Sequence, residues 1–228
     1  LEATLLAGHP QPWMYEAMAL AMQAQDSPAE EIERAVMSAV DFSPDLESMM
    51  FAAAYLERIG MQDGKYEPLQ RRALKLFREA AQANPIRPEP YLRGLEIAKR
   101  LNDNDGIRWA CLGVLRQAWS RKHRDIELQA TRTAIATLTA MGTSGQREDA
   151  RKFEIDLDQA LTRDVVVKVT WTGDADIDLL VEEPSGTVCS MRNSRTTAGG
   201  VLVDDAFSKP TANVDGTTET YICPEAFN

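Results

Sequence analysis

Three aspartates spaced two residues apart, Asp174, Asp176 and Asp178, form the densest cluster of potential ligands in the sequence. Hard cations such as Ca²⁺ bind several oxygen atoms at once, and closely spaced carboxylates supply them. On a β-strand, alternate side chains point to one side and lie about 6–7 Å apart along the backbone. Two further acids, Asp204 and Asp205, follow a later strand pattern and are placed to complete the shell. The spacing therefore suggests a calcium site, and calcium is the only cofactor that the sequence suggests.

The same aspartates have a second interpretation, because their spacing is not that of an EF-hand loop. Leu179 stands where that loop requires glycine, and Ser185 stands where it requires a bidentate glutamate. The alternative is a solvated acidic face that keeps an edge strand from pairing with other chains. The sequence leaves both interpretations open.

The three cysteines lie in different patterns, Cys111 in a helical one and Cys189 and Cys223 in or beside strands. There is no C-x-x-C pair, and only His9 and His123 are available to join the cysteines, which argues against a structural zinc site. Cys111 falls on an apolar stripe and is predicted to be a core thiol. The other two either form a disulfide worth about 3–4 kcal/mol in an oxidising compartment or remain buried thiols in a reducing one.

Helical periodicity dominates the chain up to Arg163. Apolar residues recur at i, i+3, i+4 and i+7, which is the pattern of a helix with one buried face. Ser27-Pro28-Ala29-Glu30 has the residues of a capping box, and Ser43-Pro44-Asp45 repeats the cap and the proline. We expect eight helices, whose apolar stripes begin at Trp13, Ile32, Leu46, Leu69, Tyr91, Ile107, Leu128 and Ala150.

The starts of the odd-numbered helices recur at a spacing near that of helix-pair repeats. They fall at Pro12, Pro44, Pro90 and Glu127, so the steps are 32, 46 and 37 residues. The segment with Ala73, Phe77, Ala80 and Pro85 resembles the second helix of a tetratricopeptide repeat. That resemblance implies an α-solenoid with a concave groove for a peptide or a protein partner. The alternative is a stack of helices that only spaces other domains.

At Asp164 the period drops to two and strand patterns begin. Val165, Val167, Val169 and Trp171 are predicted to share one side of the first strand. In the second strand we expect Ile177, Leu179 and Val181 to point inward, with Asp176, Asp178 and Glu182 outward. The expected strands lie at 165–171, 176–182, 188–191, 201–203 and 219–223.

One stretch of this second part resembles a known family. The pattern V-T-W-x-G-D-A-D-I-D-L-x-V-x-x-P-x-G, with Gly199-Gly200 and the segment 221–224 further on, is similar to the opening of a bacterial β-sandwich family known only as a domain of unknown function. It is more distantly similar to accessory sandwich modules of secreted bacterial peptidases. The resemblance implies an extracytoplasmic module, in the periplasm or beyond, without established catalysis. That location favours the Cys189–Cys223 disulfide over two free thiols.

The expected fold class is therefore α+β with two domains, an α-solenoid over residues 1–163 and a β-sandwich-like domain over residues 164–228. A sandwich usually needs about 100 residues and seven strands. Since only five strands fit here, we expect the second domain to be truncated at its C-terminal end or completed from outside the chain.

Composition narrows the function classes. Eleven acids and four bases lie from Asp164 onward and account for most of the net charge of −10, and no basic stripe occurs elsewhere, so nucleic-acid binding is not expected. No apolar run approaches the roughly 20 residues of a membrane span. The sequence contains no G-x-S-x-G, phosphate-loop, H-E-x-x-H or dinucleotide motif.

These observations predict a non-enzymatic scaffold or protein-interaction protein of the bacterial cell envelope, with its partner in the helical groove. The alternative is an accessory calcium- or carbohydrate-binding module of a larger secreted enzyme.

Overall fold

A computed structural model describes residues 12–42, 45–119, 123–173, 175–204 and 217–225. The chain divides into two compact units, Leu1–Ala110 and Cys111–Asn228. The division falls within a helix, and each unit is described here by itself.

Eight α-helices and one short 3₁₀ turn, Gly64–Tyr66, lie within the described residues. The helices are α1 (Pro12–Ala24), α2 (Ala29–Phe42), α3 (Leu46–Gly60), α4 (Glu67–Ala83), α5 (Glu89–Arg100), α6 (Asn104–Leu115), α7 (Arg124–Thr143) and α8 (Arg147–Leu161). Each of the eight apolar stripes begins within one of them, and the sixth, predicted to reach Ala118, extends past the end of α6 at Leu115. The predicted number and positions of these helices are therefore confirmed.

Local signals in the sequence explain where these helices begin and what they bury. Asp45 is the N-cap of α3, and its carboxylate accepts a hydrogen bond from the Ser48 backbone N–H at 2.8 Å. On α4, Ala73, Phe77 and Ala80 are all fully buried, as the repeat-like spacing predicts. The small alanines allow close approach of the neighbouring helices, and the aromatic ring fills the space between them.

Within the first unit, each helix packs on the next in sequence from α1 to α5. A buried acid connects α3 to α5. The Glu57 carboxylate of α3 forms ion pairs with Arg93 at 2.7 Å and with Arg100 at 2.8 Å, both of which lie on α5. Because both of its oxygens are paired, this carboxylate is held in the interior without the cost of an isolated charge.

Within the described residues, the second unit contains α7, α8 and five strands, β1 (Val165–Trp171), β2 (Val181–Glu182), β3 (Val188–Cys189), β4 (Val201–Asp204) and β5 (Thr217–Cys223). We call the part of the chain from Asp164 onward the strand module. β1, β5 and β4 form an antiparallel sheet in that order, while β2 and β3 form a separate hairpin. Burial alternates along β1 as predicted, with Val165, Val167, Val169 and Trp171 on the more buried side.

The second predicted strand is much shorter in the structure. Only Val181 and Glu182 pair, and residues 175–180 have no regular secondary structure. Ile177, predicted to point inward, is exposed. The backbone N–H of Leu179 donates to the Glu219 carboxylate at 2.6 Å. A side-chain oxygen is therefore the acceptor, in place of the backbone carbonyl of a neighbouring strand.

Two arginines satisfy carbonyl groups at and just beyond the C-terminal end of α6, inside the second unit. Arg163, which follows α8, donates to the Leu115 carbonyl at 2.8 Å. Arg195, in the loop between β3 and β4, donates to the Ala118 carbonyl, and its guanidinium lies 5.9 Å from the centre of the Trp119 ring. Burial lowers the pKa of both guanidinium groups. These contacts therefore join Arg163 and the β3–β4 loop directly to the segment at the end of α6.

The expected boundary between Arg163 and Asp164 coincides with the change from helix to strand, whereas the division into compact units lies at Ala110 and Cys111. Among the helices of the described ranges, none combines the length and apolar character that a bilayer crossing requires.

Candidate functional site

The predicted metal ligands are only partly within the described residues. Asp174 and Asp205 lie outside them, and only the backbone of Asp204 is described, in β4. Asp176 and Asp178 are both exposed, in the irregular segment between β1 and β2. No strand therefore imposes the side-by-side spacing on which the calcium hypothesis was based. Over the part of the chain that is described, no three acidic, histidine or cysteine side chains are grouped to hold a metal ion.

The two strand-module cysteines belong to one buried cluster. Cys189 at the end of β3 and Cys223 at the end of β5 pack there with Leu202 and Tyr221. Both are free thiols in this structure, and burial raises the pKa of each. Cys111 is also buried and free, as expected of a core thiol. The Cys189–Cys223 disulfide remains a prediction, now for two residues of the same small core.

The first unit carries an apolar hollow between α1, α2 and α3. Its volume is about 290 Å³, and Val36, Val40, Phe51 and Tyr55 supply much of its wall. Phe51 is 49% exposed, although its helix buries Met50, Leu56 and Ile59. Burial raises the pKa of Tyr55, with the nearby Arg58 acting in the opposite direction.

A second hollow adjoins the first on the same helix, α3. It measures about 530 Å³, and it shares Glu16, Phe51 and Tyr55 with the first hollow. Leu20 and Met61, which line it, are both about half exposed. We call the two hollows together the α3 groove, whose lining residues are Glu16, Leu20, Val36, Ala39, Val40, Glu47, Ser48, Phe51, Ala52, Ala54, Tyr55, Glu57, Arg58, Met61 and Arg93.

Charge is distributed unevenly in the α3 groove. Glu47 is paired with Arg87, and Glu57 is paired with two arginines. Glu16 borders both hollows, and within the described residues no cation pairs with its carboxylate. The Glu16 backbone carbonyl accepts a hydrogen bond from the Tyr55 hydroxyl at 3.3 Å, which fixes this part of α1 against α3. The groove therefore offers apolar surface, with the Glu16 carboxylate bordering both hollows and the Arg58 guanidinium lining the second.

A buried polar cluster in the strand module was not predicted from the sequence. Glu183, which directly follows β2, is only 2% exposed. Its Oε1 accepts hydrogen bonds from the Thr196 hydroxyl at 2.6 Å and the Tyr221 hydroxyl at 2.9 Å. Its Oε2 is buried without a hydrogen-bond partner among the described residues.

One signal for Glu183 was available in the sequence. If Val181 points inward on the second strand, period two also places Glu183 inward, and an inward acid requires donors. The partners themselves were not predictable, since Thr196 comes from a loop and Tyr221 from the last strand. The cluster joins the β2–β3 hairpin to the three-stranded sheet, and its contacts are internal to the module.

Comparison with known proteins supplies no neighbour from which a role could be transferred. The chain matches no protein-family profile, and neither a curated protein nor a solved structure matches it significantly.

Proposed function

We propose that this chain is a non-enzymatic interaction scaffold whose α3 groove binds a peptide segment of a partner protein. The observation that carries the proposal is the half-exposed Phe51 between an apolar hollow and an adjoining hollow of mixed character. Apolar surface that a protein leaves open in a concave site is a common mark of a binding site. A tetratricopeptide-like solenoid and an extracytoplasmic location, both suggested by sequence resemblance, belong to the same proposal.

The chemistry of the groove specifies the kind of peptide. Its apolar walls favour an aliphatic or aromatic side chain inserted beside Phe51. The Glu16 carboxylate, which borders both hollows, favours a lysine or arginine next to that side chain. The proposed ligand is therefore a short peptide with an apolar anchor flanked by a base.

Peptide display on the immobilised full chain tests this proposal. We expect selected peptides to share an aromatic or aliphatic anchor beside a lysine or arginine. The Phe51→Glu variant places a charge between the hollows, and it should weaken binding of a selected peptide about tenfold or more. Glu16→Gln removes only the charge and should weaken the same peptide less, by about threefold.

Ile86→Glu is the matched control, because Ile86 is 47% exposed in the same unit but lines neither hollow. This variant should bind the selected peptide as the wild type does, and circular dichroism should show both glutamate variants folded. Selected peptides that bind wild type and Phe51→Glu equally well would overturn the groove as the binding site.

A further inference from the structure

Within the described residues, β1 is an edge strand of the three-stranded sheet in the second unit, and its side away from β5 is called the open edge. β1 pairs with β5 along all seven of its residues, and no described residue pairs with its other side. In an antiparallel pair, alternate residues direct both backbone groups towards the partner. Every second residue of β1 therefore directs its N–H and C=O away from β5, towards the open edge.

Most residues of β1 are less buried than the residues of β5 that lie opposite them. Cys223 and Tyr221 of β5 are fully buried, whereas the residues opposite them on β1, Val165 and Val167, are only partly buried. Glu219 of β5 is likewise buried, whereas Val169, which lies opposite it on β1, is only partly buried. Because these pairs point to the same side of the sheet, these residues of β1 are less covered there than those of the central strand β5. Another strand beside β1 would cover this surface.

Apart from the central Lys168, β1 carries few of the features that keep an edge strand from pairing. It has no proline or glycine, and its register with β5 runs without a bulge. Val166 on the outer side is 55% exposed. Lys168, at the centre of the strand, is the only charged residue of β1, and it has no ion pair within the described residues.

We propose that the open edge of β1 binds an extended segment of a partner polypeptide as an added strand. The segment alternates apolar side chains towards the core side of the sheet, beside Val165, Val167 and Val169. On its other side it carries a carboxylate opposite Lys168. Backbone hydrogen bonds provide the general affinity of such strand addition, and the side-chain pattern provides its selectivity. This site is separate from the α3 groove and does not depend on it.

A second copy of this chain fits the edge less well. Antiparallel pairing of two full-length β1 strands around a two-fold axis places Lys168 opposite Lys168 of the other copy. Like charges directly opposite each other destabilise a strand pair, whereas an opposite charge stabilises it. The central lysine therefore favours a foreign strand with an acid over self-association.

The test uses the full chain and two fluorescent nine-residue probes that alternate valine and threonine around a central residue. One probe has glutamate at the centre and the other has lysine. We expect the glutamate probe to bind about fivefold more tightly, and Lys168→Glu to reverse this preference. Lys75→Glu on α4 makes the same charge change at an exposed residue far from β1 in sequence, and it should preserve the wild-type preference.

Amide exchange resolved by NMR identifies the binding surface. In the free protein, every second amide of β1 should exchange rapidly, and the glutamate probe should slow these amides about tenfold or more. The proposal is overturned if all β1 amides are already protected in the free monomer, or if the probe binds without protecting them. If the β1 amides lose their protection on dilution, that protection depends on dimer formation. This result would assign the edge to a second copy of the chain and would also overturn the proposal.

Discussion

The phenolic hydroxyl of Tyr221 donates a hydrogen bond to Glu183, with 2.9 Å between the two oxygen atoms. Tyr221 lies on β5 and Glu183 follows β2, so this bond connects the sheet to the hairpin through the interior of the module. Thr196 donates to the same carboxylate oxygen at 2.6 Å. Burial first, and the bond to Glu183 second, raise the pKa of the Tyr221 hydroxyl.

We expect Tyr221→Phe to lower the free energy of unfolding by about 1–3 kcal/mol, because it leaves a buried carboxylate with one donor fewer. Denaturant unfolding followed by circular dichroism measures this change. Gly200→Ala should also destabilise the module, since an added Cβ would overlap both Glu183 and the Tyr221 hydroxyl.

Gly142→Ala is the matched control for the glycine, because nothing lies near the position of its Cβ in α7. That change should be neutral or slightly stabilising, by up to about 1 kcal/mol. Equal effects of Gly200→Ala and Gly142→Ala would show that the interior position of Gly200 imposes no constraint.

Alkaline pH should destabilise the second unit. Burial raises the folded-state pKa of Cys189, Cys223 and Tyr221 above their ordinary values, which are about 8.5 for cysteine and 10 for tyrosine. Above these ordinary values the unfolded chain releases protons that the folded chain still holds. Their contribution to stability is therefore complete below about pH 8 and is lost as the pH rises from there.

Unfolding free energies measured at pH 7.5, 9 and 10.5 test the alkaline effect. We expect a fall across this range that becomes shallower in Tyr221→Phe above pH 10 and in Cys189→Ala above pH 8.5. A wild-type stability that is constant from pH 7.5 to 10.5 would contradict the argument.

Oxidising conditions should join Cys189 to Cys223. Both thiols lie in the same buried cluster, and the bond would close a loop between β3 and β5. We expect mass spectrometry of alkylated, unfolded protein to find only Cys111 modified after export to an oxidising compartment, with the bridged form more stable by about 3–4 kcal/mol. Three alkylated cysteines in exported material would refute the disulfide and would remove its support for an extracytoplasmic location.

How far the sequence predicted this fold depends on how local each signal was. The eight helices and β1 follow from apolar periodicity within single segments, and Asp45 caps α3 through a contact only three residues long. The prediction of the second strand was wrong over most of its length, because the interaction that competes with strand pairing comes from a residue distant in sequence. The Glu219 carboxylate, 40 residues away, accepts the hydrogen bond of the Leu179 N–H, and no residue near Leu179 in the sequence indicates this contact.

The same distinction applies to the candidate sites. The α3 groove uses residues of four helices, so the stripes predicted the helices but not which apolar side chains stay exposed. Trp13 and Leu128 illustrate this, since each begins a predicted apolar stripe and yet is about half exposed. The aspartate cluster was conspicuous in sequence, but its expected spacing rested on a strand that does not extend over Asp176 and Asp178.

Arg195→Ala should make the loop between β3 and β4 more susceptible to proteolysis. The Arg195 side chain donates to the Ala118 carbonyl and lies over the Trp119 ring, and these contacts tie the loop to the end of α6. We expect limited proteolysis to cut residues 191–200 about tenfold faster in the variant, because cleavage follows the population of the opened loop. Arg192→Ala, an exposed arginine of the same loop, is the control and should be cut at the wild-type rate.

Calcium should affect the chain no more than sodium does at the same ionic strength. Asp176 and Asp178 are exposed in an irregular segment, so their charges are already solvated and each is screened by any salt. A specific site would behave differently, because a cation that holds converging carboxylates stabilises the folded state by mass action. At a hundredfold excess over its dissociation constant, this stabilisation is about 2.7 kcal/mol.

Melting temperatures in calcium, magnesium and sodium chloride at matched ionic strength distinguish the two interpretations of the aspartates. For a solvated acidic face, all three salts should give the same shift, and Asp176→Asn/Asp178→Asn should leave the protein equally stable or slightly more stable, since it removes repulsion. For a calcium site, calcium alone should raise the melting temperature, since irregular carboxylate clusters suit its flexible coordination better than the octahedron of magnesium. A calcium-specific rise that the double asparagine variant abolishes would establish the site and refute the solvated face.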